Sequence, residues 1–358
     1  MNKLSSLKSL GFYTLNWSAL SLAVGILAGS ASAFFLISLA WLTHLRENNV
    51  WIIALLPLGG LIIGLSYYYW GNEAERGNNL ILEEHRTPQK RIPFIMFPLV
   101  LGGTLITHLF GGSAGREGTA VQMGATLSDQ ISTWLKITTE QRRTLLLMGI
   151  SAGFASVFGT PWAGAVFALE IVFLGSLLLR NIFPVFVSAF VADFACHLWG
   201  AEHTVYTQID VLPSINTTTI AYALLVGLAF GISARLFTLN THLWTGLFKR
   251  FVNYPPLRPV LGGVVLALVF LLWGDYRFAG LGIQQIEAAF TQEAAPFDFA
   301  LKLLFTGFTL GAGFKGGEIT PLFFVGATLG STLCLLVPLP LALLAAMGFV
   351  GVFAGATH

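Results

Sequence analysis

Charge is what this sequence has least of. Only 10% of its 358 residues are Asp, Glu, Lys or Arg, against 55% hydrophobic residues, and its mean hydropathy is +0.75. Soluble domains carry about a quarter charged residues, so a soluble fold is excluded. Cysteine is nearly absent too. Cys196 and Cys334 sit in apolar surroundings and read as two buried free thiols, which excludes a disulfide framework. The histidines lack metal-ligand spacing, and no Ser/His/Asp or Cys/His arrangement stands out. No metal and no cofactor are expected. A net charge of +2 offers no basic surface to a nucleic acid.

What fills the chain instead is long apolar runs. A membrane-spanning helix needs about 20 mostly apolar residues. Trp17–Leu45, Trp51–Trp70, Ile92–Phe110, Ile182–Trp199, Thr217–Phe237 and Pro259–Trp273 read as spanning or buried segments of that kind. The first run is too long for a signal peptide and lacks a small-residue cleavage site, so it reads as a retained helix. Lys3 and Lys8 ahead of it favour a cytoplasmic N-terminus, with residues 1–16 as a short cytoplasmic segment. Lys136, Arg142, Arg143, Lys249, Arg250 and Arg258 read as interfacial loop charges, and Asp129 and Asp193 as satisfied structural polar residues. Glu170, nine residues after Pro161, reads as lying near the middle of an apolar helix.

Several runs are interrupted by proline, at Pro57, Pro93, Pro98, Pro161, Pro184 and Pro321. Irregular backbone at membrane depth survives only where protein or a water-filled cavity satisfies it. Broken segments at matching places in two halves point to a binding site near the bilayer midplane. The halves do match. Gly124-Ala125-Thr126-Leu127 recurs as Gly326-Ala327-Thr328-Leu329, and Gly149-x-x-Ala152-Gly153 as Gly351-x-x-Ala354-Gly355, both at an offset of 202 (326 − 124; 351 − 149). Ahead of each first block stands a glycine-flanked acid with a threonine two residues on, Glu117/Thr119 and Glu318/Thr320. An internal duplication follows, with a first transmembrane repeat at 17–200 and an incomplete second one at 201–358. His358 maps onto Ser156, about two helices before the first repeat ends, so the chain reads as a fragment.

The segment Gly111-Gly112-Ser113-Ala114-Gly115-Arg116-Glu117-Gly118-Thr119 follows one apolar run and opens the next. Glycines let the backbone turn sharply. The helix start that follows leaves N–H groups unpaired at its positive dipole end, which makes a seat for an anion. An ionised Glu117 can occupy that seat, and protonation would release it. A glutamate that merely caps a helix would look the same. The second segment, Gly313-Phe314-Lys315-Gly316-Gly317-Glu318-Ile319-Thr320-Pro321, repeats the logic with proline in the first helical turn. Here Glu318 is either a second proton site or the partner of Lys315. A third segment, Gly77-Asn78-Asn79-Leu80-Ile81, opens a short apolar stretch, and Asn78 is either a donor to an anion or an ordinary cap. Acids inside apolar runs are functional candidates by default.

With these residues in view, Gly115-Arg116-Glu117-Gly118 followed by Gln122 and Gly124 resembles the G-R-E-G-P-x-x-Q-x-G signature of the CLC chloride channels and transporters. Gly317 to Pro321 is similar to that family's second G-x-F-x-P anion-binding motif, and Pro161, Ala163 and Gly164 leading to Glu170 resemble its proline-capped helix ending in acids. The departures narrow the resemblance. Thr119 stands where most members have proline, Asn78 where the chloride-selective motif has serine, and Ile319 where the second motif has phenylalanine. The internal proton-transfer glutamate of the chloride/proton exchangers would fall at Ile171 and is missing. This set is similar to the fluoride/proton antiporter branch of the family.

The resemblance implies an all-α polytopic membrane protein, a bundle of inverted repeats with broken helices, working as a homodimer with one pathway per subunit. It implies that Glu117 gates the pathway and carries protons together with Glu318. It implies further that Asn78, Gly115, Arg116, Gly118, Thr119, Ile319 and Thr320 form the anion-binding set. A small, strongly hydrated anion needs dense donors to leave water, and Asn78 and Thr320 add donors to the backbone ones. The expected function is therefore fluoride export in exchange for protons across a bacterial-type inner membrane, by a transporter and not an enzyme. A chloride/proton exchanger or passive anion channel of the same family, and more remotely a membrane enzyme using paired acids, are the rivals.

Overall fold

The computed structural model describes residues 3–171, 179–206, 209 and 211–357. The side chains of Lys3 and Lys8, residues 172–178 of the apolar run after Pro161, and His358 lie outside it. Among the described residues the regular structure is helical, apart from one isolated β-bridge. In chain order the helices are α1 (Lys3–Asn48), α2 (Leu56–Ser66), α3 (Asn78–Arg86), α4 (Met96–Leu109) and α5 (Glu117–Trp134). Next come α6 (Thr139–Phe158), α7 (Pro161–Glu170), α8 (Leu179–Leu198), α9 (Thr217–Phe251) and α10 (Leu257–Trp273). Then follow α11 (Ile283–Ala289), α12 (Asp298–Gly311), α13 (Ile319–Leu333) and α14 (Leu341–Thr357). Among the described residues four helical stretches, Tyr13–Asn48, Val50–Arg86, Asn181–Leu198 and Thr217–Phe251, are long and apolar enough to cross a membrane.

The second half repeats the first in its helix starts. The starts of α12, α13 and α14 follow those of α4, α5 and α6 by 202 residues each (298 − 96; 319 − 117; 341 − 139). The helix ends have local causes. A capping box between Thr138 and Gln141 opens α6, and Gly159, at φ 69°, closes it in the left-handed conformation that glycine adopts without strain. Between α2 and α3 the chain passes through a π-helical turn, Tyr67–Gly71, and a 3₁₀ turn, Asn72–Arg76.

The chain forms two compact units. The first gathers the segment ending at Ala40 with Tyr69–Gly102 and Glu117–Thr204. Within it, α5 and α6 meet through glycine. A Cβ on Gly124 would stand 2.3 Å from the Gly149 carbonyl oxygen, and one on Gly153 2.3 Å from that of Ala120. Small residues permit such backbone contact, which supplies the packing that lipid-exposed helices cannot obtain from the hydrophobic effect. Ala33, Leu36, Ala120, Val157, Cys196 and Ala201 pack together beside this contact.

The second unit comprises Trp41–Tyr68, Gly103–Arg116 and the chain from Val205 on. Val226, Phe230, Ala234 and Phe237 line one face of α9 and pack against Leu322, Val325 and Leu329 of α13 and Leu344 and Val352 of α14. A Cβ on Gly326 would stand 2.0 Å from the Gly348 carbonyl. The glycines that meet are thus 25 residues apart in the first unit (149 − 124) and 22 in the second (348 − 326). Gly348, and not the sequence-matched Gly351, is the packing counterpart of Gly149. The helix contact selects the residue on the facing side, one turn from the one the sequence match picks.

Candidate functional site

The glycine loop before α5 is held by paired bonds inside the second unit. Gly111 turns the chain at φ 86°. Gly115 N–H donates to the Gly317 carbonyl at 2.6 Å, and Gly317 N–H donates back to the Gly115 carbonyl at 2.8 Å. Ser113 N–H donates to the Thr309 hydroxyl at 3.2 Å, while Lys315 N–H donates to the Thr107 hydroxyl at 3.3 Å. Every member of these pairs is related to another by 202 residues (317 − 115; 315 − 113; 309 − 107). Equivalent groups exchange equivalent bonds, as a local two-fold relation between the two motifs demands.

These bonds also fix which way the loop's polar groups point. The Gly112 carbonyl accepts from Gly280 N–H at 3.1 Å, and the Gly115 carbonyl lies 3.3 Å from His108 Nε2, which must carry the proton to donate. These two carbonyls are engaged within the protein, and the loop leads into the positive dipole end of α5, the end of a helix that favours a negative charge. Glu117 opens that helix and is 1% exposed. Gly115, Gly118 and Thr119 are buried beside it in sequence, and Arg116 is half-buried.

Asn78 belongs to the same unit as Glu117. It is the first residue of α3, after Gly77 at φ 55°, and it is exposed. Gly77 faces the Gln122 side chain of α5, so the third motif abuts the helix that Glu117 begins. A buried charge network fixes the two helices together. Arg142 of α6 donates from Nε and Nη2 to the two oxygens of Asp129 on α5, at 2.6 and 2.9 Å, and from Nη1 to Glu84 of α3 at 3.0 Å. The Ile92 amide donates to Asp129 at 2.7 Å, and the Gln89 and Lys90 amides donate to Glu84. Arg142 is therefore no interfacial loop charge. It is 7% exposed, because two acids from two other helices converge on it. Asp129 is the satisfied structural residue expected.

In the second unit, Glu318 occupies the position before α13 and is exposed, Thr320 is buried and Ile319 is half-buried. The Lys315 ammonium lies 4.0 Å from the centre of the Tyr67 ring. Glu170 corrects a second expectation. It is the last residue of α7, with Ile171 as its cap, and is exposed, a helix-end position that agrees with the resemblance to a helix ending in acids. Cys196 is buried as expected, whereas Cys334, at the end of α13, is only half-buried.

Sequence reasoning passed over Lys302, Arg46 and His108, which are buried around this loop. Lys302 carried a signal, as a cation inside the apolar α12, with Thr306 and Thr309 one and two turns on along the same face.

A helical membrane protein in which two repeat-related, glycine-hinged acid motifs are joined backbone to backbone belongs to the class that handles small charged solutes at broken helices. Residues 59–358 match the family described as voltage gated chloride channel, and the chain belongs to that family. A chloride/fluoride channel protein of Pseudomonas syringae pv. tomato is 46% identical over 352 residues, which cover 97% of this chain and 78% of the relative. A crystal structure described as a CLC-type fluoride/proton antiporter matches with a TM-score of 0.92 at 36% identity, over 97% of this chain and 88% of that one. A slow cyanobacterial Cl⁻/H⁺ antiporter matches at 0.76 and 17% identity, over 95% and 91% of the two chains, a likeness of fold alone.

Proposed function

We propose that this protein exchanges fluoride for protons across a bacterial inner membrane, exporting the anion. The observation that carries the reading is Glu117, a buried carboxylate at a helix start, after a loop whose Gly112 and Gly115 carbonyls are bonded within the protein. Such a seat accommodates one negative charge. When Glu117 is ionised it competes with the anion, and when it is protonated the anion takes its place. Proton and anion then use the seat in alternation, which is the requirement for exchange. The kinship to a chloride/fluoride channel protein and to a CLC-type fluoride/proton antiporter supports fluoride as the anion.

In this reading Glu117 is the gate and proton carrier, and Glu318 handles protons in the second motif. Asn78, Thr119 and Thr320 supply side-chain donors, and Gly115, Arg116, Gly118 and Ile319 shape the backbone seat. The N-terminus is cytoplasmic, the repeats divide at 17–200 and 201–358, and the working unit is a homodimer. The 202-residue spacing of the bonds between Gly115 and Gly317 supports the duplication.

Proteoliposomes loaded with fluoride test the proposal. Fluoride efflux, read by a selective electrode, is expected to drive proton uptake and alkalinise the outside. Chloride flux of equal size without fluoride would overturn the selectivity. Anion current with no proton movement would make the protein a passive channel, and a hydrolytic product without flux would make it an enzyme.

A further inference from the structure

The bonds between the two motifs are two-fold related, but the charges around them are not. Lys302 lies on α12 at the position that Val100 occupies in α4 (302 − 100 = 202), and it is completely buried. Its ammonium donates to the carbonyl oxygens of Gly280 at 2.7 Å and Phe278 at 3.2 Å, with the Phe324 ring centre 5.2 Å away. Among the described residues no carboxylate pairs with it. While it is protonated, a buried ammonium held only by carbonyls and a ring face keeps most of its field, because no countercharge cancels it.

That field is applied next to the anion loop. Gly280 is the residue whose N–H holds the Gly112 carbonyl, at 3.1 Å. Arg46 packs on the other side of Gly280, where a Cβ would meet its Nη1 at 2.5 Å, and it donates to the His108 carbonyl at 3.1 Å. Arg46 has Glu47 as an ion-pair partner at 3.1 Å, so its charge is partly offset. Lys302 has none. On the same face of α12, Thr306 and Thr309 bond Ser113 directly, its Oγ at 3.0 Å and its N–H at 3.2 Å. One helix face therefore grips the loop with two neutral hydroxyls and backs it with one uncompensated charge. A brace alone would need only the hydroxyls, since satisfying two backbone carbonyls does not require the most costly residue to bury.

We infer that Lys302 is a positioning residue that sets anion affinity: its buried positive charge raises the potential behind the Gly111–Gly115 loop and draws the anion, or the Glu117 carboxylate, to the seat. The inference deepens the anion-exchange reading and rests on it.

The test compares anion KM, maximal flux and thermal midpoint in proteoliposomes for the wild type, Lys302→Gln, Lys302→Met, Lys302→Arg and Thr309→Val. Both neutral variants at 302 are expected to raise KM about tenfold, the effect of one charge acting through a partly polar interior, with a smaller change in maximal flux. Lys302→Arg is expected to recover most of the wild-type KM. Thr309→Val, which loosens the loop without altering charge, is expected to move the thermal midpoint more than KM. An unchanged KM in Lys302→Gln overturns the inference, and so does a KM rise in Thr309→Val as large as that in Lys302→Gln. If neither neutral variant folds, Lys302→Arg decides: with the charge kept, a KM within about threefold of wild type is expected, and a KM raised about tenfold or more overturns the inference. The wild-type arm is separate. Absence of fluoride–proton exchange refutes the proposed function, whereas the ratio of variant to wild-type KM, for whatever anion is carried, still reports on Lys302.

Discussion

Asp129 on α5 receives the Ile92 amide at 2.7 Å, and Ser331 on α13 receives the Ala294 amide at 2.9 Å. The two bonds are related by 202 residues at both ends (331 − 129; 294 − 92). Around Asp129 the bond is extended into a network with Arg142 and Glu84 that reaches the helix beginning at Asn78. Around Ser331 it stops at one further bond, to the Gln292 carbonyl at 3.0 Å. Both halves thus need an acceptor at this place to hold the chain that returns towards the motif, and a hydroxyl suffices for that. The charge in the first half does something additional: it fixes α3 against α5, and so Asn78 near the helix of Glu117. The second half has a different asymmetry. Its acid, Glu318, keeps surface open to solvent although protein atoms crowd its carboxyl, where Glu117 is enclosed.

The largest effect that can sharpen this contrast is on the two acids. Glu117→Gln is expected to lower fluoride-coupled proton flux by about 100-fold, whereas Glu318→Gln lowers it by about tenfold. Proton uptake by liposomes carrying each variant checks this, and equal losses would erase the functional distinction between the halves. Arg142→Met leaves Asp129 and Glu84 buried without their partner and is expected to cost about 3–5 kcal/mol, read as a fall in thermal midpoint. A negligible fall would mean that the network is solvated in the membrane protein. Ser331→Ala removes only neutral bonds, and its expected cost is about 1 kcal/mol by the same measurement. A cost matching that of Arg142→Met would break the comparison.

The smallest effect belongs to the exposed Arg277, which bonds the half-buried Asp275 at 2.8 Å and reaches the buried Asp298 at 3.2 Å. Its hydrogen bonds hold the Asp275 carboxyl below the usual carboxylate range. A carboxylate with a depressed value stabilises the fold at neutral pH, and that contribution fades as the pH falls through its folded value. Arg277→Ala is expected to cost less than about 1 kcal/mol near neutral pH and nothing in acid, as thermal midpoints at two pH values will show. A larger loss in acid than at neutral pH would reverse the assignment.

Much of the site could be read in the linear chain because its signals are local. Glycines beside a lone acid at the end of an apolar run identify a broken helix wherever they occur, so Glu117 and Glu318 stood out without a fold. The duplication was readable for the same reason, since small residues at fixed spacing persist where helices touch. Its fine register was not. Whether Gly348 or Gly351 faces Gly326 depends on the rotation of α14, which one turn of helix alters without disturbing the pattern.

The sequence alone determined membrane residence, from the scarcity of charge, and the two anion motifs, from residue types at short spacing. Only the tertiary structure decided what the remaining charges do. Arg142 resembles any interfacial arginine until Asp129 and Glu84 arrive from other helices. Lys302 is one cation in an apolar helix until Gly280 brings its carbonyl to it and its amide to the glycine loop. Burial and partnership depend on distant segments of the chain, and a charge in low dielectric takes its meaning from those neighbours.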